Sequence, residues 1–185
     1  MGEIDDAIER ADREGFTRQP PKTLQARINF LMKQLRTTKA VAQEIGVSQR
    51  SVERYRKGER KHPPQAIAER IDAAVRARWQ PQVRRRRRKQ AATTTGITVE
   101  TRARFGYTAP IGTTDDGRFR RLTVHLPPTY AQRLFNAREA GAGDQQMRQI
   151  IAEGFKEIYF QDGGARALGL SDVTLNDIDY LDLDY

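Results

Sequence analysis

Six consecutive cations, Arg84-Arg85-Arg86-Arg87-Arg88-Lys89, stand near the middle of this 185-residue chain and constrain its fold more than any other stretch. Like charges at that density repel one another and leave no apolar face, so the run is predicted to be a mobile linker between folded parts. Pro81 before it and Ala91-Ala92-Thr93-Thr94-Thr95-Gly96 after it support that division. The net charge of +9 is unevenly spread: residues 1–104 carry 25 Lys/Arg against 12 Asp/Glu, residues 105–185 carry 8 against 12. A polyanionic partner is therefore expected for the first part. There is no cysteine, so no disulfide or thiolate site, and with only His62 and His125 as imidazoles no metal site is expected. No apolar run approaches the ~20 residues of a membrane span. The opening "MGEIDDAIER" is acidic and amphipathic, unlike a signal peptide, and the expected compartment is the cytoplasm.

Upstream of the cations, Ile4, Ile8 and Ala11 fall at helical spacing, as do Leu24, Ile28, Leu31 and Leu35, with Pro20-Pro21 between the two stripes. Residues 36–60, "RTTKAVAQEIGVSQRSVERYRKGER", place a Gly-Val-Ser turn between two short helices, and a further helix is predicted over 64–79. Over about twenty positions this segment resembles the helix-turn-helix of bacterial repressors. Ala42 is small where the helices cross, Gly46 is at the turn, Val41, Ile45, Val47, Val52 and Tyr55 are apolar, and Ser48 is placed to cap the second helix. Gln49, Arg50, Arg54 and Lys57 form the exposed side of that helix and carry the chemistry of major-groove reading. The plain alternative is a solvated charged face in a helical bundle. For Arg84, Arg85, Arg86, Arg87, Arg88 and Lys89 the expected role is phosphate contact, against a purely solubilising linker.

Beyond the linker, Leu122, Val124 and Leu126 alternate with Arg121, Thr123 and His125 as in a strand with one buried face. Pro127-Pro128 stops it. A helix through Tyr130, Leu134 and Phe135, a turn at "AGAGD" with Asp144 as cap, and a helix through Met147, Ile150, Ile151, Phe155, Ile158 and Tyr159 follow. Strand, helix, helix over 120–161 resembles the ribbon-helix-helix fold. A lone strand leaves its backbone groups unpaired, so a homodimer through 120–160 is expected, with Arg121, Thr123 and His125 either on DNA or idle beside a dimer contact. The segment 162–185 reads as an acidic tail, solvated or docked on basic surfaces. The predicted fold class is thus mainly α: a helical helix-turn-helix domain over 1–80, a basic linker and intervening segment over 81–119, a β-α-α unit over 120–161, and the tail.

That intervening segment contains "GTTDDGR", 112–118, in which Gly112 and Gly117 bracket two hydroxyls and two carboxylates. By itself it reads as a surface turn. The chain as a whole, from "MGEIDDAIERADREGFTRQPPKTLQARI" to "LDLDY", resembles the telomere terminal proteins of linear Streptomyces chromosomes and plasmids. Members of that family become covalently attached to the 5′ ends of DNA, prime the patching of the end, and cap it. The resemblance implies that a threonine of the central region accepts the first nucleotide, the matching position being Thr114 with Thr113 as its neighbour and competitor, and with Asp115 and Asp116 in support. It also implies a telomeric DNA partner with a 3′ overhang, a telomere-associated protein that recruits this one, a DNA polymerase supplying Mg²⁺ and deoxynucleotide, and a nucleoid location at replicon ends. No phosphate-cradling glycine loop, Ser-His-Asp or Cys-His set, or paired carboxylates of a nucleotidyl transferase is present, so the protein is expected to be a hydroxyl acceptor without intrinsic cofactor rather than an enzyme. The rival expectation is a transcriptional or partition regulator that uses the same modules noncovalently.

Overall fold

The computed structural model describes residues 2–108, 114–165, 167 and 169–185, with side chains outside 107–117. The elements run α1 (Glu3–Glu14), α2 (Leu24–Leu35), α3 (Thr38–Ile45), α4 (Gln49–Lys57), α5 (Gln65–Arg78), α6 (Pro81–Gln90), β1 (Ile97–Thr108), β2 (Thr114–Leu126), α7 (Pro128–Glu139), α8 (Asp144–Phe155) and β3 (Asp172–Asp184). The protein is mainly helical with one small antiparallel sheet, and among the described residues no helix is long and apolar enough to cross a membrane. Residues 17–81 form one compact unit; residues 1–16 and 82–185 form another.

In the 17–81 unit each of three helices starts on a hydroxyl that satisfies a backbone N–H left unpaired by the first turn. Thr23 Oγ1 accepts from Ala26 N at 3.2 Å, Thr37 Oγ1 from Ala40 N at 3.1 Å, and Ser48 Oγ from Ser51 N at 3.2 Å. Ile28, Leu31, Val41, Ala42, Ile45, Val52, Tyr55, Ile71, Ala74 and Val75 close into one core, where each large aliphatic contributes about 1.5–3 kcal/mol by leaving water. Gly46 ends α3 with φ of +67°, a left-handed conformation that other residues adopt at a cost, and this turns the chain within three residues into α4. Trp79 closes the unit, donating Nε1–H to Arg18 O at 2.9 Å and meeting Phe30 edge-on at 5.1 Å.

The second unit departs from the predicted layout in four ways. First, α1 does not belong with the helices that follow it. Its stripe of Ile4, Ala7, Ile8 and Ala11 is buried in the core of the second unit, and its acidic side pairs there: Arg138 with Asp5 at 2.7 Å, Arg148 with Glu3 at 2.7 Å. Asp144, predicted to cap α8, instead accepts from Ile4 N at 2.9 Å and so caps α1, while Gly143 holds the cap position of α8. Gly2 lies against Asp144 so closely that a Cβ would collide with it.

Second, the cationic run is a helix rather than a mobile linker. Arginine is a good helix former, proline is tolerated in a first turn, and helical phasing divides the cations between two sides. Arg84, Arg87 and Arg88 are half-buried, whereas Arg85, Arg86 and Lys89 are turned outward. The inward three meet ring faces and a carboxylate. Arg84 lies 5.2 Å from the Phe16 ring, Arg87 5.3 Å from Tyr185 and Arg88 5.7 Å from Phe135, and Arg88 reaches the buried Asp12 at 2.5 Å.

Third, β2 is not a lone strand. It pairs antiparallel with β1, Ile97 facing Leu126 and Arg104 facing Phe119, and the sheet order is β2-β1-β3. One edge of β2 is paired within the chain and the other stays open, so the argument for a ribbon-helix-helix homodimer from a lone strand no longer applies, although strand, α7 and α8 follow in the predicted sequence order. Fourth, the acidic tail is the third strand. Val173, Leu175, Leu181 and Leu183 point into the core, and a bulge opposite Ala103 sets aside residues 177–179 between the Arg104–Asn176 and Arg102–Tyr180 pairs. Ile97, Val99, Ala103 and Phe105 of β1 make part of the 81–119 segment core rather than linker.

Candidate nucleic-acid interface

With the units drawn this way, residues 17–81 carry 15 Lys/Arg against 5 Asp/Glu, and the remainder carries 18 against 19. The basic surplus therefore belongs almost wholly to one unit. On α4, Val52 and Tyr55 face inward while Gln49, Arg50, Arg54 and Lys57 face outward. Arg50, Arg54 and Lys57 are spaced i, i+4, i+7, which places them on one stripe. Arg54 meets Glu59 at 3.7 Å, with both side chains half-exposed, a pairing weak enough to yield to a phosphate. A groove of about 550 Å³ lies along the turn, lined by Lys39, Gln43, Gly46 and Gln49 among others. This face can accept phosphates and hydrogen-bond base edges.

The cations of α6 split chemically as they do sterically. Asp12 accepts from Arg88 Nη2 at 2.5 Å and from Tyr185 Oη–H at 2.7 Å. Burial pulls the Arg88 guanidinium down, but the hydrogen bond and charge of Asp12 outweigh it and hold Arg88 above its ordinary value. Burial pushes the Tyr185 phenol up, and Asp12 adds to the shift. For Arg84 burial dominates and lowers it. Arg84, Arg87 and Arg88 are committed to the fold, which leaves Arg85, Arg86 and Lys89 as the phosphate-contacting candidates.

Arg121, Thr123 and His125 are exposed on the outward face of the sheet, as their alternation predicts. They do not stand as a free ribbon. Arg121 donates to Glu100 Oε1 at 2.7 Å, Tyr180 Oη–H donates to the same oxygen at 3.0 Å, and His125 Nδ1 lies 3.1 Å from Thr98 Oγ1. The Arg121 hydrogen bond, then that of Tyr180, holds the Glu100 carboxyl below its ordinary value. Glu100, Asp182 and Asp184 share this end of the face, so it is poorly suited to a major groove.

At the other end the β1–β2 hairpin carries the acceptor candidates. Thr114 opens β2 and faces Thr108, and Asp115 faces Tyr107. Asp116 and Gly117 follow in β2, so the strand begins inside the predicted glycine-bracketed turn. Thr113 lies outside the described residues, as do the side chains of Thr114, Asp115 and Asp116. Near this end are residues that the sequence motifs do not single out: Phe119, 52% exposed, with Arg102 and Arg104 at 5.9 and 5.8 Å from its ring. The alternation in "TVETRARF", residues 98–105, is the signal that points to Arg102 and Arg104, and that of "FRRLTVHL", residues 119–126, points to Phe119. Among the described residues no group of three or more His, Cys, Asp or Glu is arranged to hold a metal ion. No protein-family model, curated protein or solved structure matches the chain.

Proposed function

We propose that this protein is a terminal protein of linear DNA: it binds DNA through residues 17–81, with α3 and α4 as a helix-turn-helix, and offers the Thr114 hydroxyl as the primer for end synthesis. The observation that carries the reading is the position of Thr114 in the last described pair of the β1–β2 hairpin, at the end of the sheet, since a hydroxyl at a sheet end can be offered to a polymerase site. In the reaction Thr114 Oγ1 attacks the α-phosphorus of a deoxynucleoside triphosphate. The bond from that phosphorus to the bridging oxygen breaks, pyrophosphate leaves, the hydroxyl proton passes to a base of the polymerase site, and the attached nucleotide presents a 3′-hydroxyl for extension. The polymerase brings Mg²⁺ and the nucleotide, and a telomere-associated protein on the 3′ overhang delivers the complex. Asp115 and Asp116 are the supporting carboxylates that would help hold the Mg²⁺-bound nucleotide.

The surplus of ten positive charges in the 17–81 unit also suits a noncovalent regulator on duplex operators. Radiolabelled deoxynucleotide with an end-derived template and cell extract separates the two. Label on the protein that survives denaturation, is lost in Thr114→Ala and returns in Thr114→Ser supports priming. Labelling of Thr114→Ala at wild-type efficiency moves the acceptor elsewhere, and no label at all with tight binding to a palindromic duplex favours the regulator.

A further inference from the structure

Strand alternation turns Phe119 outward with Arg121, Thr123 and His125. Phe119 sits on the open face of the sheet, 52% exposed, while Leu122, Val124 and Leu126 of the same strand turn into the core. Two guanidiniums flank its ring, Arg102 and Arg104, and Arg118 and Arg121 are exposed on the same strand. Across β1 the face continues through Asn176 and Tyr180. An aromatic ring on the outer face of an antiparallel sheet, framed by arginines, has the composition of a base-stacking platform: the ring takes an unpaired base and the guanidiniums take its phosphates.

We propose that Phe119, Arg102 and Arg104 form a single-stranded DNA site on the outer face of the acceptor hairpin. The inference rests on the terminal-protein reading only for which strand is bound, namely the unpaired DNA end at which Thr114 is used. Duplex DNA is the wrong ligand, because its base faces are already stacked on one another and are closed to the ring. Phe119 stands five residues from Thr114 along β2, about 17 Å at the rise of a strand, so a strand held here runs beside the reacting hydroxyl. The acidic bulge of β3 is the built-in competitor. Asp179 pairs with Arg102 at 2.6 Å and Asp177 with Arg104 at 3.6 Å, and all four side chains are more than half exposed. Pairs so exposed hold each other weakly and give way to a phosphate. Asp177 has φ of +43°, the left-handed region that Asp and Asn tolerate best, and the bulge turns its carboxylate onto Arg104.

The test uses the full chain and a labelled oligothymidylate. Phe119→Ala weakens binding of the oligonucleotide roughly 5- to 150-fold, the range for losing one stacked base, and leaves duplex affinity unchanged. Asp177→Asn with Asp179→Asn tightens it, a gain that a merely structural bulge does not produce. Since Trp79 is the chain's one tryptophan, Phe119→Trp in a Trp79→Phe background reports directly, and its fluorescence is quenched at saturation. Thr114→Ala binds the oligonucleotide as wild type does, so loss of priming and loss of the platform are scored separately. Wild-type binding by Phe119→Ala, or an unquenched Phe119→Trp, overturns the proposal; the former with lost polymerase capture reassigns the face to a protein partner.

Discussion

Asp12→Ala tests the claim that the cationic run is part of a folded unit. The carboxylate side chain is fully buried and lies 2.5 Å from Arg88, 4.0 Å from Arg84 and 2.7 Å from the Tyr185 hydroxyl. Removing one member of a buried ion pair costs about 3–5 kcal/mol, because the partner charge stays behind without compensation. Arg88 and Arg84 keep 20% and 15% of their side chains exposed, so both can turn partway to water, and the low end, about 3 kcal/mol, applies. For a unit of about 120 residues, at about 4 °C per kcal/mol, the midpoint falls by about 12 °C. Calorimetry of the full chain measures the total. Trp79 fluorescence follows the 17–81 unit separately and should not move. Replacing the cluster by apolar residues, Asp12→Leu with Arg88→Met and Tyr185→Phe, recovers most of the loss. A loss under about 0.5 kcal/mol for Asp12→Ala, as expected if Arg88 were solvated, refutes the reasoning.

The division of the same helix sets an outcome in DNA binding: changing Arg85, Arg86 and Lys89 to Gln lowers the salt slope of log K by about 0.9 for each phosphate no longer neutralised, without lowering thermal stability. An unchanged slope removes α6 from the interface. Alkaline titration carries a sign fixed by two phenols. Burial, followed by Asp12, raises Tyr185, and burial, followed by the Glu157 hydrogen bond, pushes Tyr130 up to about 12. In the folded chain both keep their protons above about pH 10, where the unfolded chain releases them. Their contribution is complete below that pH and is lost as pH rises through the folded values. Tyr185→Phe therefore loses less stability than wild type between about pH 10 and 12 in urea melts, and equal losses contradict the assignment.

The elements with strong periodicity were legible in the sequence. The stripes of α1 and α2, the turn at Gly46, the cap at Ser48 and the outward set Arg121, Thr123, His125 stand where their spacing places them. What spacing cannot encode is the identity of a distant partner. The stripe of α1 is equally compatible with either core, and nothing local says that Ile4 and Ile8 meet elements more than a hundred residues later. The cations escape a reading that counts charge without pairing: Asp12 and three ring faces convert half of the run into packing residues. The tail shows the same effect inverted. "DVTLNDIDYLDLD" has a strand's period at both ends, and its acidity suggests solvent only as long as Arg10, Arg87, Arg102 and Arg104 are left out as counter-charges.

The strand order β2-β1-β3 also dictates when each part of the chain can fold during synthesis. Residues 17–81 are continuous and carry their own core, so they can close while translation proceeds. Helix α1 precedes that unit in the chain yet must wait for segments that follow it, because the partners of its apolar stripe include β3, and β1 has one open side until residue 184 emerges. Nascent chains arrested before about residue 170 should therefore hold a finished 17–81 unit between protease-sensitive flanks, and the hairpin that bears Thr114 acquires its full support only once β3 is available to pair with β1.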